Sequence, residues 1–131
     1  MSPSWKLLTQ ADTEKYAENL GECMIICGHY EWIDQRIIEH YDVSCISIGE
    51  YVLSSGELAA MVFIDAIVRH IPKVLGNPQS LEEESFSEKL DRQKEYPVYT
   101  RPEQILWLTV PEVLRSGHHK EIEKWKYDNL R

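Results

Sequence analysis

Five consecutive apolar residues, Cys23-Met24-Ile25-Ile26-Cys27, stand between Gly21 and Gly28. The run is too short for a buried helix, and it lacks the alternation of a strand wetted on one face. A strand buried on both faces reads this way, as in a parallel sheet covered by helices. Val43 to Ile48, closed by Gly49, reads as a second short strand. Between them Trp32, Ile33, Ile37, Ile38 and Tyr41 have helical spacing. Strands alternating with helices predict an α/β fold with a small parallel sheet flanked by helices. Two strands make a poor sheet, so the chain needs cryptic strands or a partner to complete its core.

The remaining segments mix helices with turns and extended pieces. Asp12 can cap a helix running to Leu20, where Tyr16, Ala17 and Leu20 share a face and Gly21 stops it. A longer helix is expected from Glu57 to His70. Leu58, Met61, Val62, Asp65, Ile67 and Val68 leave it few exposed positions, and Pro72 and Gly76 end it. Leu81 to Leu90 carries Glu82, Glu83, Glu84 and Glu88 and reads as a solvated segment. Pro97, Pro102 and Pro111 break the next stretch into turns and extended pieces. Val113-Leu114 is expected to be a last strand, and Ser116 or Gly117 to open a final helix with Ile122 and Trp125 on one face.

Charge and cysteine content bound the function. The formal net charge is −8 over 131 residues. Phosphate-binding proteins normally present a basic surface, so composition gives nucleic-acid binding no support, and DNA is not expected as a partner. Cys23, Cys27 and Cys45 lack Cys-x-x-Cys spacing and are read as reduced thiols of a cytoplasmic protein. Adjacent histidines at a helix start, such as His118 and His119, point in different directions, so no metal site is expected. No apolar stretch is long enough to span a membrane. Met1 to Trp5 lacks the basic and apolar regions of a signal peptide.

Five ordered segments carry a resemblance. They are Ile26-Cys27-Gly28-His29-Tyr30-Glu31, Ser47-Ile48-Gly49-Glu50-Tyr51-Val52-Leu53-Ser54-Ser55-Gly56-Glu57, Ile71-Pro72-Lys73-Val74-Leu75-Gly76, Tyr99-Thr100-Arg101-Pro102-Glu103, and Val110 to His119. Ser2-Pro3 and Leu8-Thr9-Gln10 fit the loop ahead of them. In this order and spacing the chain resembles the bacterial tRNA (guanine-N1)-methyltransferases of the SPOUT class. The resemblance covers nearly all of the chain but only the middle of the family. The strands ahead of the Ser-Pro loop and the tRNA-gripping helical domain are expected to be absent. Residues 1–131 are then one SPOUT-like domain, whose trefoil knot is expected to be absent or shallow.

That resemblance implies methyl transfer from S-adenosylmethionine to N1 of the guanosine 3′ of the anticodon, with tRNA as partner and a homodimer as the assembly. It puts donor binding at Pro3, Gly28, Tyr30, Ile48, Gly49, Glu50, Tyr51, Val52, Leu53 and Gly56. The glycines let adenine and methionine lie against backbone amides that a Cβ would hold off. Standing alone, Gly49 and Gly56 read as a strand-to-helix turn. The family's catalytic arginine falls at Arg69, its catalytic aspartate at Glu84, and Glu31 orients Arg69. Removing the N1 proton needs a base, and the charge growing on O6 needs a cation. The plain alternatives are a helix C-terminal cation for Arg69 and one more exposed acid for Glu84.

Departures from the family pattern imply impaired activity. Trp32 and Trp5 stand in donor loops at positions where the family has glycine, Ser55 replaces the first glycine of Gly-Gly-Glu, and Glu50 replaces an aspartate. Glu84 sets its carboxylate one methylene further out, and a misplacement of about 1 Å can cost about a hundredfold in rate. The alternative reading is a catalytically inactive remnant that acts as a dimeric binding or structural module.

Overall fold

The computed structural model describes residues 5–19, 21–29, 33–77 and 81–131. They fall into two compact units, residues 1–78 and 79–131.

The first unit is built on one helix pair and one short parallel ladder. Strand β1 (Lys6–Leu7) pairs in parallel with β2 (Ile46–Ser47), with Lys6 opposite Ile46 and Leu7 opposite Ser47. The Leu8 amide extends the ladder to the Ser47 carbonyl at 2.8 Å. Between the strands lie α1 (Gln10–Glu18) and α2 (Gln35–His40), and α3 (Glu57–Val68) follows.

Helix α1 starts one turn earlier than Asp12 suggests. Thr9 is the N-cap, and Asp12 closes a capping box from the third helical position. Asp12 Oδ2 accepts from Thr9 N and Thr9 Oγ1 at 3.1 and 2.6 Å, and Oδ1 accepts from Lys6 Nζ at 2.6 Å. The Lys6 ammonium and the Thr9 hydroxyl lower the Asp12 carboxyl to about 2. Leu20, the expected end of this helix, lies outside the described residues.

The core of this unit is where α1 meets α3. Ala59, Ala60, Phe63 and Ile67 of α3 are buried, as is Thr13 of α1. Tyr16 meets Phe63 edge to face with ring centroids 5.4 Å apart. The expected burial around α3 is therefore corrected. Leu58, Met61, Val62 and Ile64 form an exposed apolar flank, with Met61 at 64% exposure. The alanines allow the close approach, so the small residues turn inward.

A second correction concerns Cys23 to Cys27. The segment has no regular secondary structure and pairs with no strand among the described residues, and Met24 is 90% exposed. A backbone ladder needs a neighbour in register, and apolar composition alone does not supply one.

The second unit holds a 3-10 turn (Glu88–Leu90), the antiparallel hairpin of β3 (Gln104–Ile105) and β4 (Leu108–Thr109), α4 (Glu112–Arg115) and α5 (His119–Asp128). Val113-Leu114, expected as a strand, forms α4. Pro111 at its N-cap sets a helix-compatible entry, and the Leu114 amide bonds back to the Pro111 carbonyl at 3.0 Å. Leu81 to Leu90 is not uniformly solvated, because Ser87 and Leu90 are buried. Helix α5 opens at His119 after His118, and Gly117 takes φ +73 ahead of it. Lys94 and Arg131 exchange two backbone hydrogen bonds at 2.8 and 3.0 Å.

Candidate functional site

In the first unit, two of the segments singled out by sequence touch. Gly56 is the buried N-cap of α3. A Cβ there would meet Cys27 Cα at 3.0 Å and Gly28 N at 3.3 Å. The chain around Gly28 thus lies directly on the start of α3. Across this contact His29 Nε2 sits 2.6 Å from Glu57 Oε1. The Ser55 hydroxyl, the Glu57 amide and His29 hold the Glu57 carboxyl down at about 2. An ionised carboxylate only accepts hydrogen bonds, so Nε2 of His29 carries the proton. A carboxylate in the first turn is also favoured by the helix dipole.

The segment from Ile48 to Leu53 leaves β2 through a turn made by Ser47. The buried Ser47 Oγ accepts from Gly49 N at 3.2 Å and donates to Gly49 O at 2.9 Å. This brings the Tyr51 ring onto Gly49, where a Cβ would collide with Tyr51 Cε1 and Cζ. Tyr51 is half exposed, Val52 is 84% exposed and Leu53 is half-buried. Glu50 is exposed.

These contacts test whether S-adenosylmethionine fits here. A bare glycine face helps a ligand only if it is vacant. The space beside Gly49 holds Tyr51, the space beside Gly28 holds the Ile33 side chain at 3.1 Å, and Gly56 faces backbone. At all three glycines the missing side chain is accounted for by packing within the chain. As they stand, these residues do not offer the donor an open cradle.

Arg69 is the half-buried C-cap of α3. Twelve residues of helix at 1.5 Å each separate it from Glu57 by about 18 Å along the axis. Beside it the His70 ring hydrogen-bonds Gln10 at 3.0 Å, tying the end of α3 to the start of α1. Pro3, Tyr30 and Glu31 lie outside the described residues, as does Trp32. Trp5 is described and is 38% exposed.

Glu84 belongs to the second unit. It is half-buried, and its carbonyl accepts from the Ser87 amide at 3.0 Å. Its neighbour Glu83 is the hub that sequence reasoning missed. The Glu83 carboxylate accepts from Lys126 Nζ at 2.8 Å, Lys89 Nζ at 2.9 Å and the Tyr96 hydroxyl at 3.0 Å. These three donors, Lys126 foremost, lower its carboxyl to about 2. Lys126 also lies 4.8 Å from the centre of the Tyr96 ring, a cation–π contact. In a run of three glutamates, only three-dimensional packing distinguishes the second.

The family model described as tRNA (Guanine-1)-methyltransferase TrmD matches residues 1–131. A protein of Lachnospira eligens named tRNA (guanine-N(1)-)-methyltransferase is 49% identical over 128 residues, covering 98% of this chain and 52% of the relative. One of the same name from Cupriavidus necator is 49% identical over 126 residues, covering 96% and 47%. Another, from Pelotomaculum thermopropionicum, is 51% identical over 117 residues, covering 87% and 45%. The chain spans about half the length of the curated relatives it matches. It belongs to the tRNA (guanine-1)-methyltransferase family.

Proposed function

We propose that residues 1–131 act as one SPOUT-like methyltransferase domain of impaired activity. The reaction is methyl transfer from S-adenosylmethionine to N1 of the guanosine 3′ of the anticodon in tRNA. The observation that carries the impairment is the Tyr51 ring seated on Gly49, a proposed donor-binding position. In this reading Gly28, Tyr30, the run Ile48 to Leu53, Gly56 and Pro3 contact the donor. Arg69 offsets charge on guanine O6, Glu84 takes the N1 proton, and Glu31 orients Arg69. Calorimetric titration with S-adenosylmethionine tests donor binding, and methylation of unmodified tRNA tests the reaction. Turnover as fast as that of a full-length family member, with tight donor binding, would refute the impairment.

The same reading makes the protein a cytoplasmic homodimer. Among the described residues no helix is long and apolar enough to cross a membrane. Arg69 stands about 18 Å from Glu57 along α3, well beyond an arginine's reach, and a second copy can supply its own arginine there. The exposed flank of Leu58, Met61, Val62 and Ile64 offers apolar area for the contact, with Ile37, Ile38 and Trp125 as further candidates. Sedimentation at micromolar concentration checks the assembly, and a monomer would refute it. The SPOUT knot is taken to be absent or shallow.

The second reading is an inactive dimeric binding or structural module. The closed glycine faces favour it. A dimer with neither donor binding nor methylation would establish it over the first.

A further inference from the structure

We propose that Glu83, clasped by Lys126, Lys89 and Tyr96, is a positioning residue that fixes the loop carrying Glu84 and couples that proposed base to helix α5. The inference rests on the reading of Glu84 as the group that takes the N1 proton, while the clasp itself is geometry of the second unit. Glu83 Oε2 accepts from Lys126 Nζ at 2.8 Å and from the Tyr96 hydroxyl at 3.0 Å, and Oε1 accepts from Lys89 Nζ at 2.9 Å. The carboxylate is partly exposed, and a lone ion pair in that setting would hold little. Three donors on one carboxylate, two of them cations, form a network that holds more. Lys126 is also seated over the Tyr96 ring, so two of the donors support each other.

The chain on the other side of Glu84 is fastened as well. The Glu95 amide donates to Ser85 Oγ at 3.1 Å, and the Phe86 amide to the Gln93 carbonyl at 2.7 Å. The buried Ser87 hydroxyl donates to the Glu82 carbonyl at 2.9 Å and closes the turn around Glu83 and Glu84. Phe86 takes φ +67, a left-handed conformation that a bulky residue keeps only where its surroundings impose it. Enforced outliers of this kind gather at functional sites. Glu84 therefore stands one residue from the ionic clasp and two from an enforced kink. The neighbouring glutamates divide the work. Glu83, held down at about 2 by its three donors, is too weak a base for the N1 proton, and it anchors. Glu84 carries one methylene more than an aspartate, so its carboxylate gains the most from a fixed backbone.

The test uses the full chain with E83Q, E84Q, the E83Q/E84Q double variant and K126M. It follows amide hydrogen exchange and the methylation of unmodified tRNA. The Ser87 amide, bonded to the Glu84 carbonyl at 3.0 Å, reports the loop. E83Q should speed its exchange about tenfold. It should also lower kcat about ten- to a hundredfold, the upper end being the cost of a 1 Å misplacement, and leave KM for tRNA and donor unchanged. Adding E83Q to E84Q should cost nothing further, because no carboxylate is left to position, whereas general damage to the fold would lower the residual rate again. K126M should move both readouts in the same direction as E83Q, and no effect of K126M overturns the coupling to α5. Unchanged exchange in E83Q overturns the clasp. Faster exchange with unchanged kcat, or an additive double variant, overturns the positioning. If E84Q turns over like wild type, or wild type does not methylate tRNA, the base reading fails and the positioning with it. Ser87 exchange then decides the clasp by itself.

Discussion

The ring of Tyr51 rests on Gly49, two residues before it, in the space that a Cβ would occupy. An alanine at position 49 must displace that ring. Overpacking a well-packed core costs about 1–3 kcal/mol. The group displaced here is the far end of a half-exposed side chain, so Gly49→Ala should lower stability by less than that, measured by thermal melting. Tyr51 is half exposed and has somewhere to go, so Tyr51→Ala in the Gly49→Ala background should recover most of the loss. An additive double variant would show that the conflict lies elsewhere.

Gly56 should behave differently. Its missing Cβ faces Cys27 Cα and Gly28 N, which are backbone and cannot swing aside. Gly56→Ala should destabilise more than Gly49→Ala, and truncating a nearby side chain should not rescue it. Urea unfolding of the two variants gives the comparison directly, and equal losses would count against it.

The tryptophans give a test of the donor site. Trp5 and Trp32 occupy donor loops of the proposed site where the family has glycine. Trp5→Gly with Trp32→Gly should raise S-adenosylmethionine affinity if the indoles crowd the cleft. No change in calorimetry would show that the defect lies elsewhere than in the two indoles.

Acid should loosen the second unit through Glu83. Its carboxyl is lowered from about 4.5 to about 2 by Lys126, Lys89 and Tyr96. A depressed folded value means the charged form stabilises the fold. That contribution is fully present above about pH 4.5 and is lost as pH falls toward 2. Glu83→Gln should remove it at neutral pH and flatten the stability profile over that window. Trp125, packed near Tyr99 with ring centroids 6.2 Å apart, reports the change by fluorescence. A profile for Glu83→Gln as steep as that of wild type would contradict the assignment.

Helix positions were readable in the sequence where local chemistry decides them. Helix α2 lies within the helical spacing of Ile33, Ile37, Ile38 and Tyr41, and α3 begins at Glu57 as expected. Features that depend on a distant neighbour were not readable. Cys23 to Cys27 has strand composition but no partner in register among the described residues. The β3–β4 hairpin turns at Leu106 and Trp107 without a turn-forming pair, and Leu106 takes φ +54 against its preference. The same division applies to the site. The glycines stand out in the sequence, but Tyr51 and Ile33 lying on them do not. Nor does the meeting of His29 with Glu57, 28 positions along the chain.

The ladder between β1 and β2 also bears on the order in which the first unit folds. Lys6 and Ile46 are partners across 40 positions, and closing a loop of that length costs about 3 kcal/mol in chain entropy. Two residue pairs return little more, at roughly 1 kcal/mol net for each hydrogen bond. The strands therefore cannot nucleate the unit. Docking of α1 on α3, through Tyr16 and Phe63, must first shorten the search. The parallel ladder then closes late, so mutations within it should speed unfolding while leaving the folding rate nearly unchanged.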